Sequence, residues 1–134
     1  MTKGLTGSQQ ALVREARKAR ELAYAPYSGF KVGAAVRTKS GKIYSGCNVE
    51  NVSYGLSMCA ERVAIFKAVA AGDPAIVEIA VVTDANPPSP PCGACRQVLF
   101  EFGRHSDVVL ENIEGKREVT SIEELFPRPF ERDG

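Results

Sequence analysis

The fold of this chain is decided by residues 59–95, which read CAERVAIFKAVAAGDPAIVEIAVVTDANPPSPPCGAC. Residues 59–71 are apolar on nearly every side after the first turn, which predicts a helix that is buried nearly all round. Residues 76–82 form an almost continuous apolar run, which is typical of an interior strand. A loop rich in Pro and Ser at 86–91 leads to a second predicted helix at 93–102. Helix, strand and helix in this order indicate a layered α/β domain.

The flanking sequence adds further elements on both sides of this stretch. Leu12, Ala16, Ala19 and Ala23 are spaced to line one side of an amphipathic helix. The turn residues Ser40-Gly41 separate two short strand-like runs and predict a β-hairpin. The remaining predicted elements are helices at 8–23 and 121–125 and strands at 32–36, 42–46, 108–110 and 118–120. Helices would pack on a mixed sheet, in one domain that spans residues 1–134. A partner subunit is expected to cover one side of the apolar helix at 59–71.

The composition limits the classes of partner. The chain has 134 residues, of which 44% are hydrophobic and 25% charged, and its formal net charge is +1. So balanced a charge provides no strong field to attract nucleic acid or an anionic membrane surface. No apolar stretch is long enough to span a bilayer, and Met1-Thr2-Lys3-Gly4 begins no apolar signal sequence. These features favour a cytoplasmic protein whose thiols stay reduced.

Three cysteines and one glutamate have the spacing of a metal site. Cys59 lies at one predicted helix start, and Cys92 and Cys95 lie at the other. Unpaired N–H groups at helix starts favour thiolates, and three thiolates with an open fourth position form a catalytic zinc site. Glu61 follows the first ligand by two residues, close enough to exchange protons with a bound water. Arg62 or Arg96 could donate hydrogen bonds to thiolate sulfur.

Other interpretations of the cysteines remain open from spacing alone. Cys92 and Cys95 could be a redox pair, although such a motif has no need of Cys59. A closed four-cysteine structural zinc would include Cys47, but eleven residues separate Cys47 from Cys59, and structural sites usually pair ligands through short loops. The single histidine, His105, is far from both clusters in sequence and is expected to be an ordinary surface residue.

Five ordered segments carry a resemblance to a known family. They are Tyr24-Ala25-Pro26-Tyr27-Ser28, Phe30-Lys31-Val32-Gly33-Ala34-Ala35, Gly46-Cys47-Asn48-Val49-Glu50-Asn51, Cys59-Ala60-Glu61-Arg62 and Ser89-Pro90-Pro91-Cys92-Gly93-Ala94-Cys95-Arg96-Gln97. Over nearly its whole length the chain resembles the short, three-cysteine cytidine deaminases. The resemblance implies a three-layer α-β-α sandwich with a mixed central sheet, assembled as a homotetramer.

The resemblance also implies a reaction. One Zn²⁺ per subunit would be held by Cys59, Cys92 and Cys95, with Arg62 donating hydrogen bonds to the thiolates. The reaction would be the hydrolytic deamination of cytidine and 2′-deoxycytidine to uridine and 2′-deoxyuridine, with release of ammonia, in pyrimidine salvage. Glu61 would shuttle protons while zinc-bound hydroxide attacks C4.

Substrate-binding residues follow from the same resemblance. It implies that Asn48 and Glu50 bind the ribose hydroxyls, that Phe30 and Ala60 contact the base, and that Tyr54 and Phe130 reach a neighbouring subunit's site. From the residues alone, Phe30 could be core, Asn48 a turn residue and Tyr54 a packing aromatic. Because the Glu50 carboxylate would repel a phosphate, a free nucleoside is the expected substrate. The alternatives are a deaminase for another aminated base and a zinc-stabilised binding module.

Overall fold

The centre of the molecule is a five-stranded sheet. A computed structural model describes residues 4–132 of the chain. The strands are β1 (Gly33–Thr38), β2 (Ile43–Cys47), β3 (Ile76–Thr83), β4 (Asp107–Asn112) and β5 (Arg117–Ser121). Their order is β2-β1-β3-β4-β5; β3 and β4 are parallel and the other neighbours are antiparallel. The sheet is therefore mixed, as predicted.

Residues 4–132 also contain four α-helices and one 3₁₀ turn. They are α1 (Gly7–Arg20), α2 (Ala60–Ala70), α3 (Gly93–Gly103), α4 (Ile122–Leu125) and a 3₁₀ turn at Tyr54–Leu56. Thr6 caps α1 through its hydroxyl, which accepts from the Gln9 N–H, while the Gln9 side chain accepts from the Thr6 N–H. The prediction placed the end of this helix at residue 23. It ends earlier because Tyr24 pairs with the extended segment 48–50.

Strand residues alternate between two cores because successive side chains point to opposite faces of a sheet. On one face, α1 packs against Ala35, Ala80, Val82 and Val109. On the other, α2 and α3 pack against a larger set: Ala34, Val36, Ile79, Val81, Val108 and Leu110. The predicted three-layer α-β-α architecture is confirmed. The prediction of one domain over residues 1–134 includes 1–3 and 133–134, which lie outside the described residues, and stays a prediction.

Two glycines let helices lie directly on strand backbone. A Cβ atom on Gly46 would lie 2.6 Å from the Ala64 nitrogen and 2.7 Å from the Ala60 oxygen. A Cβ atom on Gly33 would lie 1.9 Å from the Ala16 oxygen. Both distances are too short for a side chain, so β2 supports α2 and β1 supports α1 at van der Waals distance. The first of these contacts fixes the start of α2.

The α2 helix is less buried than predicted. Ala60, Ala64, Ile65 and Ala68 are buried, whereas Phe66 is 42% exposed. A helix with this many apolar residues has no polar face to present to solvent. One apolar side of α2 is therefore uncovered in a single chain. No helix between residues 4 and 132 has both the length and the apolar character needed to cross a bilayer.

Asp73 ties the end of α2 to the β1–β2 hairpin. Its carboxylate accepts hydrogen bonds from the hydroxyls of Thr38 and Ser40, each at 2.7 Å, and of Tyr44 at 3.2 Å. These donors, the Thr38 hydroxyl foremost, hold the pKa of Asp73 below its ordinary value. The ionised side chain thus links two elements of the fold.

Candidate metal centre

Three cysteine sulfurs meet where two helices begin. Cys59 is the N-cap of α2, Cys92 is the N-cap of α3, and Cys95 lies in the first turn of α3. The Cys59 and Cys92 sulfurs are 3.9 Å apart, and the Cys92 and Cys95 sulfurs are 3.4 Å apart. All three sulfurs lie within 4.8 Å of one another. The structure therefore brings together the three ligands that the spacing indicated.

The spacing of the sulfurs fits a tetrahedral zinc ion. A Zn–S bond of about 2.3 Å in tetrahedral geometry places sulfurs about 3.8 Å apart, close to the observed distances. Hydrogen bonding from the Cys95 thiol, aided by Arg62, lowers the pKa of Cys59 to about 5. The same hydrogen bond and burial raise the pKa of Cys95. Three thiolates this close together require a cation, and sulfur ligands select a thiophilic one such as zinc.

Arg62 and Arg96 differ in what they contact. The Arg62 Nη2 atom donates to the Cys59 sulfur over 3.4 Å. Its Nε atom is buried and has no hydrogen-bond partner among the described residues. Arg96 instead donates to the carbonyl oxygens of Pro91 and Leu125. Of the two arginines considered for the thiolates, Arg62 makes the contact and Arg96 does not.

Glu61 is a buried carboxyl group beside the sulfurs. Its residue is 6% exposed, and desolvation raises the pKa of its carboxyl to about 7. The negative charge of Cys59 acts in the same direction, whereas the Glu61 N–H and Arg62 act in the opposite one. A carboxyl group with such a pKa can both accept and release a proton near neutral pH. This is the property that acid–base catalysis requires.

Glu61 and two of the three cysteines, Cys59 and Cys92, line one cavity of about 200 Å³. Its lining residues are Phe30, Val32, Asn48, Cys59, Ala60, Glu61, Val81, Thr83, Ser89, Pro90 and Cys92. The walls are mostly apolar, so polar chemistry is confined to a few groups. Ligand pockets usually measure about 300–1,000 Å³. The cavity of a single chain is therefore smaller than this usual range.

Asn48 supports the wall of this cavity with its side-chain amide. Its Oδ1 atom accepts from the Val32 N–H at 2.9 Å, and its Nδ2 atom donates to the Phe30 oxygen at 2.7 Å. These two bonds hold the backbone around Phe30 in place. Asn48 and Phe30 thus both line the cavity, as does Ala60.

Glu50 lies beside this cavity rather than in it. Its carboxylate accepts from the N–H groups of Tyr27 and Ser28, at 2.9 and 3.1 Å, and from the Ser28 hydroxyl. The Ser28 hydroxyl is the main reason that the pKa of Glu50 is lowered. Glu50 lines an adjacent depression with Tyr27 and Tyr54. Asn48 and Glu50 are two residues apart in an extended segment, so their side chains point to the same side.

Tyr54 and Phe130 do not line the Glu61 cavity of their own chain. Tyr54 is 78% exposed and packs edge-on against Tyr27, with ring centroids 6.3 Å apart. Phe130 is 75% exposed. The Gln97 side chain holds the Phe130 backbone by accepting from its N–H at 3.2 Å and donating to its oxygen at 2.9 Å. Both aromatic rings are thus available to a second molecule.

Sequence reasoning missed several residues of the site. Ser28 was noted within a matching segment, but its hydrogen bond to Glu50 depends on a turn that spacing does not reveal. Thr83 lines the cavity at the carboxyl end of β3. Ligands in α/β sheets bind outside the carboxyl ends of strands, and this rule could have identified Thr83.

Comparison with known proteins identifies the family. The model of the cytidine and deoxycytidylate deaminase zinc-binding region matches residues 6–111. The chain belongs to this family. A cytidine deaminase from Halalkalibacterium halodurans is 50% identical over 123 residues, which cover 91% of this chain and 93% of that protein. One from Sporosarcina psychrophila is 48% identical over 125 residues, which cover 92% of each.

A solved structure supports the same assignment. The crystal structure of cytidine deaminase from Burkholderia pseudomallei has a TM-score of 0.88 and 53% sequence identity to this chain. The match covers 94% of this chain and 100% of that one. The zinc-binding region of the family and the cluster of Cys59, Cys92 and Cys95 together fit one zinc ion per chain.

Cys47 is not part of the deaminase metal cluster. It lies at the end of β2 and lines a separate depression with Val63 and Lys67. The group of sulfurs found among residues 4–132 contains three members and does not include Cys47. This arrangement argues against a closed four-cysteine site.

Proposed function

We propose that this protein is a zinc-dependent cytidine deaminase. It converts cytidine and 2′-deoxycytidine to uridine and 2′-deoxyuridine and releases ammonia. One observation carries this proposal: a buried, titratable Glu61 lines the same cavity as Cys59 and Cys92, two of the three cysteines whose sulfurs converge. Membership of the deaminase family and the cytidine deaminases among its relatives support it.

Cys59, Cys92 and Cys95 would hold the zinc ion. When bound, zinc supplies a Lewis acid that lowers the pKa of a water molecule beside Glu61. Arg62 donates to Cys59 and so reduces the negative charge that three thiolates place on the site. The chain's own contribution is a mostly apolar cavity with one acid–base group.

Glu61 would move protons between water and the base. It takes a proton from the attacking water and delivers it to N3, which makes C4 electrophilic. The water oxygen forms a bond to C4. Glu61 then takes the second proton of that oxygen and gives it to the exocyclic amine. The C4–N4 bond breaks, ammonia leaves, and the product retains a C4 carbonyl and an N3 proton.

The residues around the cavity would select a free nucleoside. Phe30 and Ala60 line the cavity that would take the base, and Asn48 stands at its edge. Glu50 would accept hydrogen bonds from sugar hydroxyls. The Ser28 and Tyr27 donors keep its carboxylate ionised. A negative charge at this place disfavours a phosphorylated sugar.

We further propose a cytoplasmic homotetramer that acts in pyrimidine salvage. The uncovered apolar side of α2 and the exposed rings of Tyr54 and Phe130 support assembly. The cavity beside Glu61, which is smaller than most ligand pockets, supports it too. In such an assembly, Tyr54 and Phe130 would complete neighbouring sites. No disulfide joins the four cysteines, all of which lie in the described residues, and this supports a reducing compartment.

A substrate panel tests the proposed function. Absorbance change and ammonia release are measured with cytidine, 2′-deoxycytidine, cytosine, CMP, guanine and blasticidin S, together with a metal count. Turnover of the two nucleosides by protein that holds one zinc per chain is the expected result. Rapid reaction with CMP but not cytidine would overturn the role of Glu50. Tightly held zinc without any turnover would favour a binding module instead.

A further inference from the structure

We propose that Arg96 is a positioning residue for the metal ligand Cys92. Its guanidinium group links the peptide just before this ligand to the end of α4. The proposal rests on the zinc site described above but not on the identity of the substrate.

The geometry consists of two strong hydrogen bonds from one side chain. Arg96 Nε donates to the Pro91 oxygen at 2.8 Å, and Arg96 Nη1 donates to the Leu125 oxygen at 2.7 Å. Both are charge-assisted bonds of short length. Pro91 is buried and directly precedes Cys92. The Pro91 carbonyl is therefore held by Arg96, a residue of α3 that lies outside the loop at 86–91.

The segment before Cys92 has few other attachments. Four of the five residues at 87–91 are proline, which has no backbone N–H to donate. Among the described residues, this segment otherwise takes part in one hydrogen bond, from the Ser89 hydroxyl to the Pro90 oxygen at 3.4 Å. Arg96 is thus its main polar anchor.

Cys92 needs such an anchor more than the other two ligands do. It is the exposed member of the three, whereas Cys95 is buried within α3 and Cys59 accepts a hydrogen bond from Arg62. Cys92 occupies the N-cap of α3 without a side-chain capping bond. The direction of its sulfur is therefore set by the backbone that enters the helix.

The other end of the link is firmly placed. Leu125 is the last residue of α4, a helix whose Ile122 is fully buried in the core. The Ser121 hydroxyl caps this helix by accepting from the Glu124 N–H. Because α4 is fixed to the core, its last carbonyl has a fixed position. Arg96 donates to this carbonyl and to the Pro91 oxygen, and so holds the Pro91 peptide relative to the core.

Arginine suits this position better than lysine. Its planar guanidinium offers several donors in fixed directions, whereas an ammonium group is a compact point charge on a flexible stem. The two carbonyls belong to segments that are more than 30 residues apart in sequence. The guanidinium group can donate to both carbonyl oxygens at once, whereas a lysine ammonium group could replace only one of the two hydrogen bonds.

The test measures zinc release from Arg96→Met, which keeps an apolar stem and removes every donor. Zinc transfer to a coloured chelator is followed in the purified zinc-loaded protein, without nucleoside. We expect release about tenfold faster than from the parent protein, in the range typical of residues that support metal ligands. The absorption spectrum of the cobalt-substituted protein should also change, because one thiolate is misplaced.

Arg104→Met is the matched control, because Arg104 lies just after the end of the same helix and contacts Phe100 and Glu131 instead. Its zinc release should stay within about twofold of the parent rate, as for ordinary surface substitutions. Arg96→Lys should release zinc nearly as fast as Arg96→Met, and it provides the measurement if the methionine variant does not fold.

Two outcomes would overturn the proposal. One is an unchanged release rate in both Arg96 variants. The other is a zinc-release rate in the Arg96 variants that is no faster than their rate of global unfolding, which is measured by near-ultraviolet circular dichroism. Arg96 would then be a general structural residue. If the parent protein itself bound no zinc, the proposed function would fail first, so the two failures are distinguishable.

Discussion

Glu61 shows what burial does to a single side chain. A carboxyl group in water is ionised at neutral pH, yet desolvation brings the pKa of Glu61 to about 7. The neighbouring Cys59 adds negative charge, and Arg62 compensates only in part. The residue can therefore carry a proton in one step and release it in the next.

Replacing Glu61 with glutamine tests this role. Glutamine has nearly the same size but cannot exchange protons, so kcat should fall by at least about 100-fold. Zinc should remain bound because the three sulfurs are unchanged. Steady-state kinetics and a mass-spectrometric metal count check both expectations. Normal turnover in Glu61→Gln would exclude the assigned role.

Serine substitutions separate the metal ligands from the fourth cysteine. Cys59→Ser, Cys92→Ser and Cys95→Ser should each lose metal or turnover, because a hydroxyl is a poor zinc ligand compared with a thiolate. Cys47→Ser is the control and should keep both. The readouts are zinc per chain and cytidine turnover. Loss of zinc from the Cys47 variant would instead indicate a site with four sulfurs.

At the scale of elements, the position of α2 depends on a residue in β2. Gly46 lies against the backbone of Ala60 and Ala64 and leaves no room for a methyl group. The same helix start carries Cys59 and Glu61. A shift of the helix on the sheet would therefore move a ligand and the acid–base group together.

Gly46→Ala should destabilise the protein and disturb the metal site. The added methyl group would meet backbone at 2.6 and 2.7 Å, which cannot rotate away, and overpacking of this kind costs about 1–3 kcal/mol. Urea unfolding and zinc affinity measure the two effects. Gly7→Ala is the control, because a Cβ atom there meets nothing within 4 Å. Equal stability of the two variants would contradict the close contact of α2 and β2.

The Asp73 link between α2 and the hairpin should make stability depend on pH. Its folded-state pKa lies below the ordinary value of 3.8. The ionised group therefore stabilises the fold above that pH, and the effect is lost as the pH falls through the folded-state value. Asp73→Asn should have a lower Tm than the parent at pH 7, with the difference shrinking below pH 3.8. A pH-independent difference would show that charge is not involved.

At the scale of the whole molecule, two features of a single chain bear on assembly. The cavity beside Glu61 is small, and Phe130 is exposed on a segment that Gln97 clamps to α3. Because the Phe130 backbone is already fixed by Gln97, its ring loses little conformational entropy when a partner subunit covers it. Sites shared between subunits would account for both features.

Mixed assemblies test whether sites are shared. Phe130→Ala alone should raise KM about tenfold, the effect of losing one aromatic contact. Glu61→Gln alone should be nearly inactive. When the two variants are co-expressed, a Glu61→Gln subunit can lend its Phe130 to a Phe130→Ala subunit, and part of the parent kcat/KM should return. No gain over the separate variants, in an assembly shown by mass to be mixed, would refute sharing.

Local sequence patterns predicted the helices and strands. The features that they did not predict depend on contacts between residues far apart in the chain. The apolar runs at 59–71 and 76–82 and the cysteines beside them were sufficient for the helix starts, the central strand and the metal cluster. The end of α1 depends on the pairing of Tyr24 with a distant segment. The partner of Arg96 at Leu125 depends on where α4 packs. Neither contact leaves a periodic signal in the sequence.

Residues outside the helices and strands were the hardest to assign. Glu50 and Asn48 both carry polar groups in a segment with little regular structure, and their hydrogen bonds run to the turn at 27–32. A turn of this kind is defined by backbone geometry, which residue types constrain only weakly. The roles of Tyr54 and Phe130 depend on a second chain and stay predictions.

The order of the ligands along the chain affects how newly made protein matures. Cys59 comes before β3, and Cys92 and Cys95 come after it. The sulfurs can meet only when the segments on both sides of this middle strand have folded against the sheet. Because the three sulfurs converge only in the folded chain, metal binding is coupled to folding, and bound metal should raise the free energy of unfolding.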